Sequence, residues 1–216
     1  MVEIRNPARE RLEAGEISVG IGIRLARSAD IASMMKTAGM DWLFIDLEHG
    51  PLTLDQTAQI SCAALSAGIS TLVRVPRGEM AMATRALDGG ALGIIMPQCE
   101  SADEAREIVD RLHYAPEGSR GVVGGLPQFG FANPDMTSAM KAMNDTMLVI
   151  IMLETPNAIA QADEIAAVEG VDVVLIGTND LSAASGIPGQ VGHEKIEANY
   201  KTVAAACEKH GKWMGM

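Results

Sequence analysis

Seven short apolar runs recur along the chain: SVGIGIRL, WLFIDLEH, STLVRVP, GIIMPQ, MLVIIMLE, VDVVLIGT and KWMGM. Between most of them lie longer segments such as LDQTAQISCAALSAG, ADEAREIVDRLHY and NAIAQADEIAAVEG, rich in Ala and Leu with charges on one side. The short runs predict β-strands and the longer ones amphipathic helices. Because the runs are continuous rather than alternating, the strands should be covered on both faces, as in a parallel sheet joined by right-handed crossovers. Thr53 with Gln56, and Ser101 with Glu104, have capping-box spacing, and Gly39, Gly68 and Gly89 stand where helices should stop.

A doubly wound sheet and a closed barrel both produce this alternation. GIRLARSAD, after the first strand, lacks the Gly-rich turn of a dinucleotide-binding sheet, so the barrel is favoured. Residues suited to chemistry also close several runs: Asp46 to His49, Arg74, Glu154 and Asp180. Such residues are expected where the loops at the C-terminal face of an α/β, (β/α)8 TIM barrel build one site. The chain stops at Met216, at or inside the seventh strand, so the eighth strand and helix of that barrel are absent from it. No Gly/Ser/Pro linker divides the sequence, and residues 1–216 read as one C-terminally incomplete barrel domain. Arg111 to Asn144 is too long for a simple βα connection and is expected to form a loop over the site followed by a short helix.

At 216 residues, 48% of them hydrophobic, the chain can bury a substantial core. Its net charge of -11, with 17 basic residues scattered among 28 acids, argues against a nucleic-acid partner and for a small molecule. Cys62, Cys99 and Cys207 are far apart and form no CxxC pair, so free thiols are expected. The N-terminal MVEIRNPARERLEAGE is too charged for a signal peptide, and no apolar run is long enough to cross a bilayer. A cytoplasmic protein is the expectation.

Glu154 and Asp180 are carboxylates at consecutive strand ends, a donor set that suits a hard divalent cation with positions left open for substrate oxygens. Spacing alone also permits both to be helix caps. Of the four histidines only His49 has a strand-end address, where it could abstract a proton near neutral pH. His113, His193 and His210 fall in or beside helices and are expected at the surface. Arg74 interrupts an apolar run and must either bind an anionic substrate group or form an internal ion pair with Asp46 or Glu48. Every lysine falls on a helix or ahead of a strand, which disfavours imine catalysis, and no GxSxG, P-loop or HExxH motif occurs. The backbone N–H groups of Gly177 and Thr178 in GTNDLS could cradle a carboxylate. Met80, Met82, Met136, Met140 and Met143 read as adaptable packing, and Asp88, at a helix C-terminus, would oppose the helix dipole.

DWLFIDLEHGP, LVRVP, ALDGGALGIIMPQ, SADEAREIV, YAPEGSRG, LETPNAI and VDVVLIGTNDLS, in this order along nearly the whole chain, resemble the HpcH/HpaI aldolase family of metal-dependent class II pyruvate aldolases. The resemblance implies a (β/α)8 barrel, assembled from trimers into hexamers, that cleaves a 4-hydroxy-2-oxo acid to pyruvate, or an analogue of it, and an aldehyde. It implies Mg²⁺, Mn²⁺ or Co²⁺ held by Glu154 and Asp180, His49 as base oriented by Asp46, and Arg74 on the pyruvate oxygens and the enolate. It further implies that Gly177 and Thr178 bind the carboxylate and that Asp88 reaches a neighbouring subunit's site. Two departures accompany it: Met152 stands where many relatives have glutamine, and GTNDLS replaces the commoner GPADLS. A related branch, the citrate lyase β and malyl-CoA lyase type, would act on acyl-CoA and should need basic residues for the CoA phosphates. A non-catalytic barrel serving as a binding or assembly subunit is the alternative from another class.

Overall fold

In a computed structural model of the chain, residues 4–216 are described. All seven expected strands form, and the sheet orders them as the chain does, from β1 to β7. The fold is α/β. Two compact units divide the chain: residues up to Ile94 with Asp110–Leu148, and Ile95–Val109 with Val149–Met216.

The first unit contains α1 (Pro7–Glu13), β1 (Gly20–Ile23), α2 (Ile31–Thr37), β2 (Trp42–Asp46), α3 (Leu54–Ala67), β3 (Ser70–Arg74) and α4 (Met80–Asp88). β4 (Gly93–Met96) is shared between the units, as is α5 (Ala102–Leu112). A single 3-10 turn at Pro127–Phe129 precedes α6 (Met136–Thr146), so a long connection followed by a helix does form after α5, with the helix running two residues past Asn144. β1, β2 and β3 pair in parallel, with Ile23 opposite Ile45 and Asp46 opposite Arg74. Leu43, Ile45, Leu72, Val73, Ile60 and Leu87 are buried between strands and helices, so apolar burial drives this packing.

Burial on both faces holds for every residue of β3, β4, β5 and β6 but fails for β1, of which only Ile23 is buried. β1 stands first in the strand order and, among the described residues, pairs with β2; its Ile21 keeps an exposed side chain.

Helix boundaries follow local chemistry. The Thr53 hydroxyl accepts the Gln56 N–H at 3.2 Å while the Gln56 side chain accepts the Thr53 N–H at 3.0 Å, and Gly68 ends α3 in the left-handed region. Ser101 accepts the Glu104 N–H at 3.2 Å, as expected of the box, and the Glu104 carboxylate accepts the N–H of Glu100 at 3.0 Å. Gly89 does not make the left-handed stop; Gly90, at φ 109°, does. Gly89 instead permits close approach of α3, since a Cβ there would lie 3.0 Å from that of Ala58.

The second unit contains β5 (Leu148–Leu153) from its second residue, α7 (Pro156–Ala160), α8 (Ala162–Ala166), β6 (Val173–Ile176), α9 (Thr178–Ala184), α10 (Glu194–His210) and β7 (Trp213–Gly215). β5, β6 and β7 pair in parallel, with Leu153 opposite Ile176. The segment expected as one helix over 157–170 is broken at Gln161, whose φ of -93° and ψ of 3° leave the helical region. Among the described residues no helix is long and apolar enough to cross a membrane.

Candidate active site

Parallel register brings the C-terminal residues of β2 and β3 side by side, and with them a carboxylate and a guanidinium. Arg74 donates from Nε to Asp46 Oδ1 at 3.1 Å and from Nη2 to Asp46 Oδ2 at 2.8 Å. Its Nη1 lies 3.3 Å from Glu48 Oε2, and its face covers the Phe44 ring at 5.2 Å. Arg74 is 8% exposed, so its charge is tolerated because the two carboxylates compensate it. The internal ion pair that spacing left open is therefore present, and it fixes the guanidinium at the strand end.

Asp46 also builds the loop that follows. Its Oδ1 accepts the backbone N–H groups of Glu48 and His49, each at 3.1 Å, the self-capping turn that aspartate favours. Burial pushes the Asp46 carboxyl up, but the hydrogen bond and charge of Arg74, with the two N–H donors, outweigh it and hold the group below its ordinary value. Gly50 completes the turn because a Cβ there would stand 2.4 Å from the Asp46 carbonyl oxygen. The His49 side chain is 53% exposed and carries Nε2 3.6 Å from Glu48 Oε2. Asp46 thus holds the backbone of His49, while Glu48 is the carboxylate that faces its ring.

Asp88, the last residue of α4, has a partner that offsets its conflict with the helix dipole. Arg120, its side chain 1% exposed, donates to Asp88 Oδ1 at 2.7 Å and lies 4.4 Å over the Tyr114 ring.

In the second unit neither Glu154 nor Asp180 is a helix cap. Thr155 caps α7 by accepting the Ala158 N–H, and Gly177 occupies the N-cap of α9, leaving Asp180 exposed in that helix's first turn. Glu154 is 2% exposed, and its Oε2 accepts the Gln98 N–H at 2.9 Å. Gln98 adopts φ 54°, an uncommon conformation for a side-chain-bearing residue, and the strain aims its amide at that carboxylate. A Cβ on Gly177 would lie 2.5 Å from Glu154 Cγ and Oε1, so only glycine lets the carboxylate seat against the start of α9.

A hard divalent cation suits this donor set, whose oxygens are anionic and of which one is too buried to be hydrated freely. Among the described residues no group of three or more His, Cys, Asp or Glu could hold a metal.

Gly177 needs a correction as an anion donor: its N–H donates to the Leu153 carbonyl at 3.0 Å and is committed to the sheet. Thr178 opens α9, and its hydroxyl meets the Tyr200 hydroxyl at 2.7 Å. Met152, two residues before Glu154 on the same strand, is buried, and its thioether has no N–H to donate.

Histidine placement differs from expectation at His113, which is buried, its carbonyl accepting the Arg120 N–H. His193 caps α10 and His210 pairs with Asp163 at 3.0 Å. Sequence reasoning passed over Arg24, Gln98 and Arg120. Of these, only the arginines carried a signal, a cation beside a strand end and one in the long loop.

The family model described as HpcH/HpaI aldolase/citrate lyase matches residues 24–214. A 4-hydroxy-4-methyl-2-oxoglutarate aldolase of Hapsidospora irregularis is 40% identical over 218 residues, covering 100% of this chain and 81% of its own. A 2-keto-3-deoxy-L-rhamnonate aldolase of Escherichia coli O6:K15:H31 is 32% identical, covering 98% of this chain and 79% of its own. Among solved structures, an HpcH/HpaI aldolase from Desulfitobacterium hafniense superposes with a TM-score of 0.91 at 34% identity, over 95% of this chain and 79% of that one. With its strand-end acids, histidine and arginine in the positions described, the chain belongs to the HpcH/HpaI aldolase/citrate lyase family.

Proposed function

We propose that the protein is a carbon–carbon lyase, a divalent-metal-dependent class II aldolase that reversibly cleaves a 4-hydroxy-2-oxo acid to pyruvate, or a pyruvate analogue, and an aldehyde or ketone. Family membership supports it, as do the named relatives, which are aldolases. The observation that carries it is Arg74, buried at the end of β3, locked to Asp46 and Glu48 beside the exposed ring of His49.

In this reading Glu154 and Asp180 hold Mg²⁺, Mn²⁺ or Co²⁺, which when bound supplies Lewis-acid polarisation of the keto group. His49 accepts the proton of the 4-hydroxyl group. The C3–C4 bond then breaks, its electron pair passing into an enolate as C4 becomes the new carbonyl, and a proton returned to C3 gives pyruvate. Arg74 meets the developing enolate charge with a guanidinium already oriented, so little reorganisation is needed. Asp46 keeps His49 in place through its backbone, and the Thr178 N–H takes the substrate carboxylate. Asp88, oriented by Arg120, acts in the site of a neighbouring copy in a homo-oligomer, a trimer or hexamer.

The wider frame is a single (β/α)8 barrel domain, a reading supported by parallel pairing in chain order and by the strand-end addresses of these residues. Three free cysteines, two of them buried, suit a reducing compartment such as the cytoplasm. The test is pyruvate release from a 4-hydroxy-2-oxo acid with added Mn²⁺ and after exhaustive chelation. Turnover that survives chelation unchanged sinks the metal-dependent reading, and absence of turnover on any such acid sinks the aldolase reading.

A further inference from the structure

Arg24 follows Ile23, the last residue of β1, whose register partner Ile45 is followed by Asp46. Its side chain is 63% exposed, yet its head group is tethered: Nη2 donates to the His49 carbonyl at 2.5 Å. Nε lies 3.8 Å from Asp46 Oδ2, at the outer limit of an ion pair with a carboxylate that Arg74 already engages twice. Nη1 has no hydrogen-bond partner among the described residues. An exposed arginine ordinarily spreads over many rotamers; this one is held beside a histidine with an open N–H edge. A guanidinium so presented matches a carboxylate, by charge and by the planar geometry of its donors.

We infer that Arg24 is a specificity-determining residue that binds a second carboxylate, borne by the part of the substrate beyond the carbon that carries the 4-hydroxyl group. The inference rests on the reading of His49 as the base, which puts that hydroxyl group at the His49 ring. The tether from Arg24 to the His49 backbone keeps the cation within one residue of it. The substrate class is then a 4-hydroxy-2-oxo diacid, and its carbonyl product retains a carboxylate. Arg74 is held to Asp46 and Glu48 and in that reading already meets the enolate oxygen, so the second anion falls to Arg24.

Two probes of equal chain length isolate the distal charge: 2-oxoglutarate, with a carboxylate at C5, and 2-oxopentanoate, with a methyl group there. Their binding to the Mn²⁺-loaded protein is measured by calorimetry in the wild type, Arg24→Gln and Arg24→Lys. Arg24→Gln should weaken 2-oxoglutarate about tenfold and leave 2-oxopentanoate within about twofold, with Arg24→Lys recovering part of the loss. Equal weakening of both probes would show that Arg24 only props the His49 loop, and overturns the inference. So does unchanged affinity for both, or failure of 2-oxoglutarate to bind the wild type. Loss of aldol turnover with this discrimination intact would strike the aldolase reading alone.

Discussion

Asp46 and Arg74 occupy paired register positions at the ends of β2 and β3, and the carboxylate takes two N–H bonds from the guanidinium, at 3.1 and 2.8 Å. The pairing makes one residue structural and chemical at once. Removing Arg74 leaves the Asp46 carboxylate buried without its cation, a loss of roughly 3 to 5 kcal/mol for a buried pair. In the proposed mechanism it also removes the enolate contact, typically about 100- to 1000-fold in rate. Arg74→Lys keeps the charge but not the forked donors, and should retain more stability than Arg74→Ala while remaining slow. Chemical denaturation and steady-state kinetics on the two variants check this; near-normal kcat in Arg74→Ala would remove Arg74 from the chemistry.

The same pair sets an acid dependence. Asp46 titrates below its ordinary value of 3.8 in the folded protein, so its carboxylate form stabilises the fold above that value. This contribution should be complete at neutral pH and fade as the pH falls below about 4, toward the folded-state value. Urea unfolding of the wild type and Asp46→Asn across this range should show a stability gap that is constant above about pH 5 and narrows below. A gap that widens on acidification would contradict the assigned direction.

Gly177→Ala tests the seating of Glu154. A methyl group there would fall 2.5 Å from the Glu154 carboxylate, so the side chain must swing away. The Gly177 φ of -82° is ordinary for any residue, so the backbone itself is not strained. Metal affinity should fall about 10- to 100-fold, as for other groups that orient a ligand, with a larger loss in Glu154→Gln. Calorimetric titration with Mn²⁺ reads the effect directly, and unchanged affinity in both variants would exclude Glu154 as a ligand.

Cys207 lies against the Trp213 carbonyl, and burial pushes its thiol up to about 11. At neutral pH about one molecule in ten thousand would carry the thiolate, so native Cys207 should resist alkylation until the protein unfolds. Mass spectrometry after brief iodoacetamide treatment checks this. Cys62, also raised by burial but only partly covered, should react first of these two thiols.

Periodicity alone determined seven strands, most of the helical segments between them and the strand-end addresses of Asp46, Arg74 and Glu154, because those signals are local. The capping box at Thr53 was equally legible, its partners being three residues apart. Register and side-chain direction were not, since they depend on residues distant in the chain. Only the folded structure decided that Arg74 pairs with Asp46 and Glu48, that His49 faces Glu48, and that Glu154 is no cap but sits against Gly177. It also committed the Gly177 N–H to the sheet, buried His113 and placed Arg24 beside His49. Residue order specifies which groups end each strand; the distances between those groups, and hence their charges and roles, exist only once the strands are paired.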